Sequence, residues 1–243
     1  MRIDAEGLGH RAINDLLREG TGPVDLDGCM GQRFIAAGMA DREIRITGVP
    51  GNALGSYLNG ASIIVRGNAQ DAVGDTMNEG RIVVHGRIGD AAGYAMRGGR
   101  ILVSGDAGYR AGIHMKAYED KSPLLVIGGR AGSFLGEYQA GGTIVVLGLT
   151  EPRGGRPDRI VGNYPCTGMH GGRMFLRSEC DGTTFPDQVT ATPISVDERE
   201  ELSELLAEFF SVFDYDRDEV LSAPFTVVRP DSSNLYQQMY VTN

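Results

Sequence analysis

The stretch Gly86-Arg-Ile-Gly89-Asp-Ala-Ala-Gly93-Tyr-Ala-Met96-Arg-Gly-Gly-Arg-Ile101-Leu-Val103-Ser-Gly105 is one period of a repeat, nineteen residues from its first glycine to the next. The same spacing links Gly48, Gly67, Gly86 and Gly105. The eighth position of each period is again glycine, at Gly55, Gly74, Gly93 and Gly112. Each period ends on a short apolar run: Ile63-Ile-Val65, Ile82-Val-Val84, Ile101-Leu-Val103, Leu124-Leu-Val126 and Ile144-Val-Val146. Runs of three, rich in β-branched residues, are strands and are too short for helices. Other columns agree, with Leu58, Met77, Met96 and Met115 in one and Pro50, Ala69, Ile88, Ala107 and Ala131 in another.

Like residues at a fixed period stack when each coil lies on the next, about 4.8 Å away, so the columns become files of one core. The expected fold is all-β: a parallel β-solenoid of six to seven coils. The crossover rule for parallel strands makes it right-handed. Glycine supplies corners where φ is positive or backbones approach closely. The structural glycines are then Gly48, Gly55, Gly67, Gly74, Gly86, Gly93, Gly105, Gly112, Gly129, Gly136 and Gly148. An insertion of four residues around Ala117–Asp120 delays the coil that starts at Gly129. Ile63, Ile82, Ile101, Leu124 and Ile144 are expected in one file. Less regular coils flank the array, from Gly28 to Thr47 and from Val161 to Arg177, as terminal repeats do.

Outside the array, Leu8, Ala12, Ile13, Leu16 and Leu17 have helical spacing, and Gly20 ends the run. This helix is suited to cap the first coil. Ser195-Val-Asp-Glu198 reads as a capping box. The stripe Leu202, Leu205, Leu206, Phe209, Phe210 and Phe213 after it suits packing on the parent domain better than a free partner-binding helix. Ala223–Pro230 reads as extended. The organisation is therefore a capping helix in 1–24, the solenoid in 25–180, and a helix with an extended tail in 181–243.

The chain has 243 residues, a net charge of −9 and 36 glycines. That charge argues against nonspecific nucleic-acid binding, which needs cations to neutralise phosphates. No apolar run approaches the roughly 20 residues of a membrane span. The opening MRIDAEGLGHR carries charge where a signal peptide is apolar. The expected location is the cytoplasm, with Cys29, Cys166 and Cys180 as thiols.

Several stretches resemble chemistry without completing it. Leu124–Gly132 looks like a strand entering a phosphate loop, but it lacks GxGxxG and a following lysine. Its glycine spacing also recurs in five coils. Cys166 and His170 are half a metal site, or a nucleophile and base without an orienting group. The expectation is no catalytic residue, no metal ligand and no cofactor. Arg153, Arg156 and Arg159, in a Gly/Pro-rich loop that breaks the array, are candidates for docking an acidic partner. The Ala117–Lys121 insertion and the segment near Tyr236 and Tyr240 are further docking candidates.

The tandem Gly-x2-Gly-x3-Gly coils, with Gly141-Gly-Thr-Ile-Val-Val-Leu-Gly148, Ile3-Asp-Ala5, Thr167-Gly-Met-His-Gly-Gly172 and Pro224-Phe-Thr226, resemble the glycine-repeat (GXGXG) C-terminal domain of the glutamate synthase large subunit. The resemblance is strongest from Gly48 to Arg177. It implies a right-handed β-helix without catalytic residues, made here as a separate subunit. It further implies glutaminase-like and flavin/iron–sulfur synthase-like partner subunits, a place in glutamate biosynthesis, and room for a homo-oligomer. The same repeat occurs in one of the subunits of formylmethanofuran dehydrogenase and in one of those of N-methylglutamate synthase.

Overall fold

The computed structural model describes residues 1–150, 159–180 and 182–231. The chain opens with β1 (Arg2–Asp4) and α1 (His10–Arg18). The array then supplies β2 (Val24–Met30), β3 (Glu43–Val49), β4 (Asn59–Arg66), β5 (Glu79–Val84), β6 (Arg100–Val103), β7 (Leu124–Ile127), β8 (Ala140–Val146) and β9 (Gly171–Leu176). Each pairs in parallel with the one before it. The tail gives β10 (Val189–Pro193), α2 (Val196–Leu205), α3 (Ala207–Val212), α4 (Arg217–Ser222) and β11 (Thr226–Pro230). β11 returns antiparallel between β9 and β10, completing an 11-stranded sheet among the described residues. The solenoid makes about eight turns, more than the expected six to seven. β1 contributes to the difference, because Arg2–Asp4 lacks the glycine pattern yet pairs with β2.

Register decides what reaches the core. Ile44, Ile63, Ile82, Ile101, Leu125, Ile144 and Met174 form one file of paired positions. The expected file had Leu124 in place of Leu125. Equivalent residues are 19 apart in regular coils but 24 apart across the Ala117 insertion, so it adds five residues and not four. Leu124–Ile127 is a run of four apolar residues that fits either window, and only pairing with β6 chooses. The slip matters because side chains alternate faces, so one residue moves Leu124 from the core file to the outer face.

The outer face is also apolar. Val83, Leu102, Val126, Val145 and Phe175 point away from the solenoid core and are buried under Leu202, Leu206, Phe209 and Phe213 of the tail. Each large side chain removed from water there contributes roughly 1.5–3 kcal/mol. The helical stripe therefore packs on its own domain. It runs over two helices, since the backbone bends at Leu206 (φ −87°, ψ −2°) between α2 and α3. The capping box at Ser195 is formed. Glu208 receives Arg81 at 3.0 Å and Arg100 at 2.7 Å, and Arg173 pairs with Glu201, which holds the Glu201 carboxyl below its ordinary pKa.

The corners opposite are overlapping turns. Gly93 has φ +68°, as expected for the eighth position. Its flanks were not foreseen: Ala91 (φ +54°) and Ala95 (φ +50°) are left-handed too, and equivalent residues in other coils include Arg110, Phe134, His114 and Tyr138. Left-handed backbone costs a non-glycine residue roughly 1–2 kcal/mol. Here it aims successive N–H groups alternately at the two neighbouring coils. Ala91 donates to Tyr109 O at 2.7 Å, Gly93 to Val73 O at 2.8 Å and Ala95 to Ile113 O at 2.9 Å. The first glycine of a coil answers a different need: a Cβ on Gly105 would lie 2.8 Å from the Gly86 carbonyl oxygen.

The N-terminal end of the core is closed by α1, through buried Ile13 and Leu17. Asn14 fixes it to the first corner, donating to Phe34 O and accepting from Ala36 N–H, both at 2.8 Å. Arg42, nearly buried, donates to the carbonyls of Leu17, Gly22 and Glu19 and so terminates α1.

Candidate docking face

The chemistry-bearing residues singled out in the sequence are taken up by packing. Cys166 occupies the eighth-position column in place of glycine, with φ +62° and no exposure. Burial pushes its thiol well above the ordinary range, which disfavours the thiolate. Cys29 is likewise pushed up to about 11, first by burial and then by Asp27. His170 is half-buried, its Nδ1 3.1 Å from the carbonyl of Gly168. The glycines after β7 are set by the neighbouring coil, since a Cβ on Gly128 would lie 2.5 Å from Ser104 O and one on Gly132 2.6 Å from Gly108 O. Among the described residues no group of three or more His, Cys, Asp or Glu could hold a metal. Nor is any helix there long and apolar enough to cross a membrane.

The docking candidates differ in what the structure does with them. Arg153, Arg156, Tyr236 and Tyr240 lie outside the described residues. Arg159 donates to the carbonyls of Val161 and Gly162 and to Asn163 Oδ1, while its own carbonyl accepts from Arg130. Its guanidinium thus shapes the start of the last coil. The Ala117–Lys121 insertion closes on itself through Tyr118 and Lys121, and Lys121 reaches Glu79 at 2.8 Å.

The most developed surface feature is one the sequence reading missed. The left-handed corner columns of the later coils carry rings. His114 and Tyr138 stack at 5.1 Å with their planes 10° apart, and Tyr94 meets His114 edge-on at 5.9 Å. In the parallel column Phe134 contacts Tyr109 at 5.3 Å and Tyr164 at 5.2 Å. The Arg110 guanidinium lies over Tyr109 and faces the buried Glu137 carboxylate at 2.6 Å, opposed in charge but poorly aligned for a linear hydrogen bond. The four tyrosines are 37% to 64% exposed. Arg97 and Lys116, two residues beyond Ala95 and His114 in adjacent coils, are exposed and carry no ion pair among the described residues. The nineteen-residue period hides this grouping, because the corner positions become 24 and then 30 residues apart just where the rings occur.

Fold and corners together define a glycine-cornered parallel β-solenoid with a packed core and one ring-bearing face. The chain belongs to the GXGXG motif family, which matches residues 20–231. An uncharacterized protein of Methanocaldococcus jannaschii, MJ1350, is 42% identical over 249 residues, covering 98% of this chain and 95% of that protein. A chain in the X-ray structure of the formyltransferase/hydrolase complex (FhcABCD) from Methylorubrum extorquens in complex with methylofuran has the same fold. Its TM-score is 0.64 at 20% identity, over 93% of this chain and 89% of that one.

Proposed function

We propose that the chain is a structural, non-catalytic subunit of a multi-subunit glutamate synthase, working in the cytoplasm. It holds glutaminase-like and flavin/iron–sulfur synthase-like subunits in fixed geometry. The observation that carries the reading is the contrast between its surfaces. The core and the outer sheet face are sealed by the chain's own helices, while the corner face presents exposed rings on a rigid array. Solenoids commonly use such extended surfaces for binding, and membership of the GXGXG motif family supports a scaffold role. The test is to purify the chain alone and with those two subunits co-expressed from the same genome. The expected results are no flavin, no iron–sulfur absorbance and no glutamine turnover alone, and a stoichiometric complex on co-expression. Stoichiometric flavin or turnover by the chain alone would overturn the reading.

A second reading is favoured by one observation, the shared fold with a chain of the formyltransferase/hydrolase complex over nearly the full length. In it the chain is the equivalent subunit of a formyl-transfer assembly of the formylmethanofuran dehydrogenase type. Co-purification with molybdopterin- or tungsten-containing subunits in place of the glutaminase-like one would select it.

A further inference from the structure

We propose that the C-terminal end of the solenoid holds a binding site for a small carboxylate with an apolar body, and that Arg199 receives the carboxylate. The two ends of the core are closed differently. At the N-terminal end α1 lays the fully buried Ile13 and Leu17 onto it. At the other end the chain leaves β9 at Leu176, and the hairpin of β10 and β11 carries the sheet onward. Val189 and Val228 of that hairpin still belong to the core. Side chains on a strand alternate between faces, so Ala191 and Pro193 share the face of Val189, and Thr226 shares that of Val228. There the core runs out: Val189 is buried, while Ala191 and Pro193 are exposed. Their face, together with Cys180, Phe185 and Phe225, lines a cavity of about 600 Å³. That is within the range of small-molecule sites.

The walls give the ligand's chemistry. Phe185, Phe225, Ile194 and Pro224 supply apolar surface. Among the described residues Arg199 is the one cation in the lining, and it is pinned. It reaches the cavity from α2, lies 5.9 Å over the Phe225 ring, and donates through Nη1 to the carbonyls of Leu221 and Ala223. Its Nε and Nη2 make no hydrogen bond among the described residues, and neither is sealed from solvent. These two groups form the side of the guanidinium fork that takes a carboxylate in two parallel hydrogen bonds. Because the fork is already held, little side-chain order remains to be imposed on binding. Glu179 also lines the cavity, but it is exposed and forms no ion pair with Arg199. One guanidinium matches one carboxylate, whereas a phosphate dianion would leave a charge uncompensated against the apolar walls.

The test needs only the full chain, so its outcome is independent of the scaffold reading. Phenylacetate is the probe and uncharged phenylacetamide the control, each titrated while the backbone amide resonances of Thr183, Thr192 and Thr226 are followed. The acid should shift them saturably, with a Kd on the order of 1 mM for so small a ligand. The amide should bind at least about tenfold more weakly, and R199Q should abolish that preference. Arg199 also ties α2 to the carbonyls of Leu221 and Ala223, so a second variant leaves it in place. A191F puts a ring into the cavity from an exposed strand position; it should melt as the wild type does and lose the acid. Equal binding of acid and amide by the wild type would overturn the carboxylate assignment. No saturable shift, or an A191F chain that binds as the wild type does, would overturn the site.

Discussion

Replacing Arg42 with Met removes the group that terminates α1 and so opens the end of the solenoid. Arg42 donates to Leu17 O at 2.9 Å, Gly22 O at 2.9 Å and Glu19 O at 3.1 Å. A hydrogen bond from a charged group contributes roughly 1.5–3 kcal/mol. The three are not additive here, because Glu19 and Gly22 are exposed and water can replace the lost donor at their carbonyls. Leu17 is fully buried, so its carbonyl is left unsatisfied, at a cost of about 1–3 kcal/mol. The cation also sits at the negative end of a helix, which adds about 0.3–2 kcal/mol. The expected destabilisation is roughly 3 kcal/mol. Arg42→Lys should recover part of it, since one ammonium cannot reach three carbonyls in a planar fork. Hydrogen exchange is the suitable assay, because a solenoid opens from its ends and a single global midpoint averages over coils. Amides of α1 and of β2 should exchange about a hundredfold faster in R42M, while those of β6 to β8 should change little. A destabilisation under about 1 kcal/mol, or unchanged exchange in α1, would refute the assignment of Arg42 as the cap.

Other consequences are more local. Gly93→Ala should cost about 1 kcal/mol, since the corner has φ +68° but the nearest atoms to a new Cβ are 3.8 Å away; Gly74→Ala should cost more, because Ile101 Cδ1 would be at 2.5 Å. Equal calorimetric shifts would show that conformation alone sets the price. Phe209→Ala should cost about 3–5 kcal/mol from a fully buried site, whereas Glu208→Gln, which loses two half-exposed pairs, should cost under about 1 kcal/mol and less at high salt. Urea titrations giving the reverse order would sink the account of the helical cover. His85 packs edge-on against Phe213 at 5.1 Å, and burial, then Arg66, lowers its pKa below 6.5. Its folded form binds a proton less readily than the unfolded chain, so stability should fall as pH drops below about 6.5, and less steeply in H85Q. Parallel pH profiles for the two proteins would remove His85 as the cause.

The array was legible because a solenoid writes its geometry into the period. Gly55, Gly74, Gly93 and Gly112 recur where the corner turns left-handed, and Ile63, Ile82 and Ile101 recur where a strand faces inward. The capping box at Ser195 and the tail's apolar stripe were equally local signals. What the period could not carry, the tertiary structure decided. A run of three or four apolar residues does not say which members face in, so the place of Leu125 over Leu124 waited on pairing with β6. Nor does it say what covers Val83, Leu102 and Val126; that cover comes from helices about a hundred residues later in the chain, between β10 and β11. Arg42 gives no local sign of its role, because its partners are carbonyls brought near only by the stacking of α1 on the first coil. The rings at Tyr94, Tyr109, Phe134 and Tyr164 are scattered in sequence. They became one surface because insertions add length within a coil without changing how corners stack, and hydrogen bonding between coils follows stacking, whatever the sequence distance.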